Sequence, residues 1–296
     1  MKEKEYDDVP QGRYKSRSLA ADILHRFYRS KTAMAAFIVL MLIVLVAICA
    51  DWIVDYDVAI AQNISERYQA PSKLHWMGTD AYGRDIFARI IHGSRISLVV
   101  GIVTTVVSVV FACLFGAVAG YYGGRVDNII MRFMDVMISI PSILLVLCIV
   151  AILGSNVTNL VIALIIGQIP GFTRIFRSVI LNLKGSDYIE AAKSYGATNA
   201  QIIMRHILPN AMGPIIVQAT MSVSSAIISA ASLSFIGLGC QPPAPEWGVM
   251  LSEAKDQMRN YPYMAIFPGV AIVITALCFN LTGDGLRDAL DPRLKD

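Results

Sequence analysis

DYIEAAKSYGATNAQIIMRHILP, running from Asp187 to Pro209, is the one long charged segment inside the hydrophobic part of this chain. Its pattern predicts two short helices joined by a glycine turn. Asp187 is placed to cap the first, with Glu190 three residues on. Thr198 is placed to cap the second, and Gln201 follows at the spacing of a capping box. Gly196 lies between them, where a left-handed backbone would penalise a residue with a Cβ. Pro209 is expected to limit the second helix, because it lacks an N–H and its ring clashes with the preceding turn. In the first helix Ala191 and Ala192 let another surface approach closely, and Ile189 and Tyr195 offer apolar anchors. That suits docking into a groove on a partner. The same features also fit an ordinary amphipathic helix between two membrane spans.

The surroundings of this loop are apolar. Of 296 residues, 55% are hydrophobic and 16% charged, with a mean hydropathy of +0.57. Soluble domains carry about 25% charged residues. The class is all-α integral membrane, and one domain accounts for the chain. Residues 1–31 form a polar tail with eight Lys and Arg. Residues 32–50 carry no charge and are long enough to cross a bilayer core; the long, partly acidic segment before them argues for an uncleaved first span over a signal peptide. Residues 51–95 are a mixed loop, in which Ile86, Phe87, Ile90 and Ile91 predict a short surface helix leading into span two. Further spans are expected at about 96–120, 134–153, 157–173, 215–238 and 263–282. Pro141 and Pro170 fall inside two of them, and Pro209 and Pro214 bound a third. A helix beginning near Trp247 reads as interfacial, with Tyr261 and Tyr263 as anchors. Residues 284–296 form a tail. Both termini and the 187–209 loop are expected on the cytoplasmic side, an arrangement that puts 18 of the 25 Lys and Arg there.

Several function classes are disfavoured by what the chain carries. The span interiors contain no Asp, Glu, Lys, Arg or His, with Asp135 at an edge, and proton-coupled carriers place ionisable groups at mid-membrane. There is no Gly-x4-Gly-Lys-Ser/Thr phosphate loop, so ATP hydrolysis of that kind is not expected in this chain. No nucleophile, base or metal ligands converge as an enzyme needs, and no basic stripe interleaves with aromatics as nucleic-acid binding needs. His25, His75, His92 and His206 are scattered, so no metal site is expected. The five cysteines lie in or beside apolar stretches without a Cys-x-x-Cys pair and read as buried small residues. Met131, Met134 and Met137 read as packing. The serines of the fifth span, 222, 224, 225, 229, 232 and 234, serve either close helix packing or a polar pathway. Were the chain a transporter, it would have no energy source of its own and would need a partner, for which the docking-type loop is the expected binding place.

Glu190-Ala191-Ala192, then Gly196, then Leu208-Pro209 resembles the EAA loop of permease subunits of bacterial ATP-binding-cassette importers. One position departs: the pattern's isoleucine falls on His206. Gly78-Thr-Asp80 with Gly83-Arg84-Asp85, the run Gln241-Pro-Pro-Ala-Pro-Glu246-Trp247-Gly, and the tail from Gly283 resemble one subclass, the dipeptide, oligopeptide and nickel permeases. The resemblance implies the type I importer permease fold in a bacterial inner membrane. It implies that Tyr188, Glu190, Ala191, Ala192, Tyr195, Gly196, Leu208 and Pro209 couple to two ATPase subunits, which bind the ATP and Mg. It also implies a second homologous permease, an external substrate-binding protein, contact with membrane lipid, and di- or oligopeptides as cargo. Nickel or a metal chelate is the alternative cargo, and an ATP-independent channel or secondary carrier the alternative class. Asp80, Arg84, Asp85, Glu246 and Trp247 are external-loop or gating candidates; Asp80, Arg84 and Asp85 are expected to act through capping and local ion pairs.

Overall fold

A computed structural model describes residues 19–290, with side chains from residue 23. Most of the basic N-terminal tail, and the end of the C-terminal tail from 291, lie outside the described residues. In chain order the helices are α1 (Leu19–Arg29), α2 (Lys31–Ile48), α3 (Ala50–Ile53), α4 (Tyr56–Ile60), α5 (Ile86–Tyr122), α6 (Gly124–Ser139), α7 (Ser142–Leu153), α8 (Val157–Lys184), α9 (Asp187–Ser194), α10 (Asn199–Gln201), α11 (Leu208–Phe235), α12 (Trp247–Ala254) and α13 (Tyr263–Leu290). Among the described residues there is no strand, only an isolated bridge between Thr79 and Asp85. Among the described residues, five helices are long and apolar enough to cross a membrane, or six if the bent pair α6–α7 counts as one.

Helix α5 is the axis of the molecule. Its 37 residues extend roughly 55 Å at 1.5 Å per residue. Asp85 starts it by accepting from the Ala88 backbone N–H at 2.9 Å. There is thus no separate surface helix at 86–91: that segment is the first part of one helix continuing through 96–120. On one side α5 packs against α2, α11 and α13, with Leu40, Leu98, Val223, Ile227 and Phe279 in the core. On the other it meets α8 and α11, with α7 packed on α8, in a core of Val100, Val150, Leu160 and Leu233. Gly116 and Gly120 of α5 face α8 so closely that a Cβ on either would sit 3.0 to 3.1 Å from Phe176, Arg177 or Ile180. Small residues four apart are the means by which apolar helices approach without a hydrophobic driving force between them.

Pro170 lies inside its helix as expected, but Pro141 and Pro209 act otherwise. The expected span 134–153 is two helices meeting at 85°. Ile140 before Pro141 is forced to an extended ψ of 125°, which ends α6, and Pro141 starts α7. Arg174 pairs with Asp135 at 2.7 Å and Arg177 pairs with Asp127, tying α6 to α8 across the bend. These arginines are therefore helical residues of α8, which passes Pro170 and runs to Lys184 instead of stopping near 173. Pro209 does not end a helix either. Residues Ile202–Ile207 form π-helical turns, and the Leu208 N–H reaches back to the Ile203 carbonyl, five residues away. That wider turn accommodates the proline ring in the first turn of α11, which continues past Pro214. From Asn199 to Phe235 the chain is one rod, not a short loop helix followed by a span starting at 215. The last helix likewise continues beyond 282 to Leu290.

The two ends of α5 carry different structures. At its start lies a cap built from residues 49–85 together with α12. Trp247 and Met250 of α12 are buried against Ile86, Ala231, Met264 and Ile272, so the apolar face of α12 is covered by the protein itself. At its end lies the loop of α9 and α10, packed on Ala117, Tyr121 and Ile180.

Candidate functional site

At the loop end, the cap of α9 is Ser186, one residue before the expected Asp187, and it makes no side-chain capping bond. Asp187 and Glu190 fall in the first turn, where negative charge offsets the helix dipole. Gly196 follows the helix at φ +80°, the left-handed region foreseen for it. The capping box of α10 has both its bonds: Thr198 N–H to Gln201 Oε1 at 2.9 Å, and Gln201 N–H to Thr198 Oγ1 at 3.3 Å. Ile189 is fully buried among Ile180, Ile202 and Ile207, so it is not an outward anchor but the peg that seats the helix on its own chain. Tyr121 Oη donates to Asn199 Oδ1 at 2.7 Å, and the Lys184 ammonium lies 5.7 Å from the Tyr121 ring centre. On the other face Tyr188, Glu190, Ala191 and Gly196 are exposed, and Tyr195 is 92% exposed. Ala192, His206 and Leu208 are half-buried and Pro209 is exposed. The result is a firmly seated helix that presents a small, partly aromatic knob.

At the cap end, Asp80, Arg84 and Arg89 are buried. Asp80 Oδ2 accepts from Arg84 Nε at 2.6 Å and from Arg89 Nη1, while Glu253 Oε2 accepts from Arg84 Nη2 and Arg89 Nη1, each at 2.8 Å. Asp80 Oδ1 also takes the backbone N–H of Tyr82 and Arg84. The ion pairing foreseen for Asp80 and Arg84 is thus half of a four-membered cluster joining the loop, α5 and α12. Sequence reasoning missed Arg89 and Glu253. Arg89 had a signal, a lone cation in an apolar helical run; Glu253 had none in its neighbourhood. Asp85 stands apart, capping α5 and lying 2.8 Å from His75 Nδ1.

Glu246 caps α12, accepting from the Val249 N–H at 2.9 Å, with Ser97 Oγ at 3.4 Å. Burial pushes its carboxyl above the ordinary range, opposed by the backbone N–H groups of Gly248 and Val249, which favour the charged form. Trp247 Nε1 donates to the Ile90 carbonyl at 3.2 Å. Both residues join α12 to α5, at a place distinct from the Asp80 cluster.

The serines of α11 fall into two groups. Ser224 bonds Asn280 Oδ1 at 2.8 Å and Ser234 accepts from the Cys240 N–H at 3.1 Å, both buried in packing. Ser225, Ser229 and Ser232 instead line a cavity of about 250 Å³ between α7, α8 and α11, with Ser142 and Gln168. Among the described residues no group of His, Cys, Asp and Glu is arranged to hold a metal ion.

Residues 109–296 match the model of the binding-protein-dependent transport system inner membrane component, and residues 18–71 match the N-terminal TM domain of oligopeptide transport permease C. The glutathione transport system permease protein GsiD of Pectobacterium atrosepticum is 48% identical over 270 residues, 91% of this chain and 90% of that protein. The dipeptide transport system permease protein DppC of Alkalihalophilus pseudofirmus is 44% identical over 286 residues, 97% and 94% of the two. Among solved structures, an inward-facing MetNI methionine ABC transporter chain has a TM-score of 0.56 at 20% identity, covering 70% of this chain and 98% of its own, a likeness of fold. The apolar helices, their type I importer arrangement and these matches lead to one statement: the chain belongs to the family of inner-membrane permease components of binding-protein-dependent ABC transport systems.

Proposed function

We propose that this chain is the membrane-embedded permease of an ATP-driven importer of di- or oligopeptides. It works with two ATPase subunits that bind ATP and Mg, a second homologous permease and an external substrate-binding protein. The observation that carries the reading is the two-faced helix α9. Ile189 seats it on the bundle, while Tyr188, Glu190, Ala191 and Tyr195 are left outward for a partner. Both termini and α9 lie on the cytoplasmic side, with the cap outside, in keeping with the excess of Lys and Arg at the loop end. The spans are α2, α5, the bent pair α6–α7, α8, α11 and α13. Outward apolar residues such as Ile129, Phe133 and Val136 of α6 meet lipid or the second permease. Peptide is favoured over nickel because the relatives named above carry glutathione and dipeptide in their names.

ATP binding draws the two ATPase subunits together, α9 moves with them, and the rod from Asn199 to Phe235 passes that motion into the bundle. Coupling of this kind requires a contact that differs between two states, and the rod supplies the mechanical continuity. The test is purification from membranes in mild detergent, followed by uptake in reconstituted vesicles. The parent chain is expected to bring down ATPase subunits and a second permease. Glu190→Arg and Gly196→Pro should insert normally but lose that association and uptake. Unchanged association and uptake in Glu190→Arg overturn the coupling role of α9.

A further inference from the structure

The cavity between α7, α8 and α11 has a chemistry that the coupling argument does not use. Ser225, Ser229 and Ser232 recur at intervals of four and three, which puts them on one face of α11, and all three are exposed. Across from them on α8 is Gln168, whose Oε1 is buried and has no hydrogen-bond partner among the described residues. Ser142, in the first turn of α7, completes the polar lining. An unpaired amide carbonyl at this depth is costly in an apolar setting, so its retention points to a donor that arrives. Ser232 gives its proton to the Ile228 carbonyl at 2.8 Å, which leaves its oxygen as an acceptor. None of the residues lining the cavity is charged.

We infer that this cavity is a transit subsite that recognises the peptide backbone. The inference rests on the reading of the chain as a peptide permease. A turn of the Gln168 amide brings Oε1 to a main-chain N–H, and the serine hydroxyls accept or donate to the neighbouring peptide unit. Each peptide unit offers one donor and one acceptor whatever its side chain, so a lining of hydroxyls and one amide reads what all peptides share. The absence of charge among the lining residues removes discrimination by side-chain charge. At about 250 Å³ the cavity is smaller than the roughly 300–1,000 Å³ of sites that enclose a whole drug-sized ligand, so it holds part of a peptide.

The test uses the complete importer in proteoliposomes, with its ATPases, second permease and binding protein, supplied with dipeptides at saturating binding protein. Gln168→Leu should lower uptake of an uncharged dipeptide about fivefold, the scale of one lost neutral hydrogen bond, while the ATPase subunits still co-purify in parent amounts. Gln168→Glu places a carboxylate in the cavity. It should raise the uptake of a lysine-containing dipeptide relative to a glutamate-containing one about tenfold over the parent ratio, a change that a merely structural role would not produce. Parent uptake with both variants unchanged in rate and in charge ratio overturns the subsite and leaves the peptide reading standing. A parent complex that assembles with its ATPases yet takes up no dipeptide overturns the peptide reading, and the subsite with it.

Discussion

At the cap end the charges are turned inward and tied to one another, whereas at the loop end they are turned outward and an isoleucine is turned in. Asp80, Arg84, Arg89 and Glu253 share four short contacts with almost no solvent. Glu190 and Lys193 are exposed, and Ile189 holds α9 in place. The difference follows from what each end must do. A buried ion cluster is directional and fails if one member is lost, so it fixes the cap as a single unit on α5 and α12. An apolar peg holds a helix down without using its polar face, which leaves that face free to meet a partner. The cap is complete within the chain; on the function proposed above, the loop is the part that a partner completes.

The largest effect is expected where the cluster is broken. Asp80→Ala leaves two buried guanidiniums sharing one carboxylate and should cost about 3–5 kcal/mol, read as thermal unfolding in detergent. An unchanged midpoint would mean that water reaches the cap and that the two ends differ less than the geometry says. The next effect separates the two faces of α9. Ile189→Ala should cost about 2–4 kcal/mol through the cavity it leaves, whereas Tyr195→Ala should leave unfolding unchanged and weaken ATPase association about tenfold or more, the scale of losing an aromatic anchor. Equal stability losses in both variants would remove the distinction between seat and knob.

The smallest effect concerns Glu246. Its raised pKa means that the folded chain holds a proton over a pH range in which the unfolded chain has already lost it. Stability should therefore decline as pH rises from the ordinary carboxylate range through the folded-state pKa, and level off beyond. Glu246→Gln keeps the Val249 cap and should abolish that slope while matching the parent at low pH. A parent profile identical to that of the variant would mean that the carboxylate is ionised in the folded cap.

Legibility in the sequence followed the range of the interaction. The α9 and α10 turn was readable because each device is local: the Thr198–Gln201 capping box spans three residues, and Gly196 needs only its own φ. The start of α5 at Asp85 is equally local, a side chain capping the N–H three residues on, but the polar loop before it makes residues 86–91 resemble a separate piece. Pro141 and Pro209 show the limit of a local rule. Both lack the N–H, yet one ends a helix and the other lies in a continuous rod, because the π-helical turns before Pro209 make room for its ring. The inward seat of Ile189 is not legible in the sequence for a related reason: amphipathic spacing tells which face is apolar, not what covers it.

By itself the sequence determined the membrane class, the apolar stretches from which the spans are built, the capped turn at 187–209 and the family. Each is written in composition or in neighbours within a few residues. Only the tertiary structure decided that Arg84 and Glu253, 169 positions apart, close one cluster. It alone decided that Ile189 faces inward, and that three serines of α11 line a cavity while two others are packed away. The physical reason is that lipid and protein interior are equally apolar to a hydrophobic helix. Hydropathy therefore tells which segments are taken out of water, and only the packing of one helix on another tells which side of each faces its neighbour.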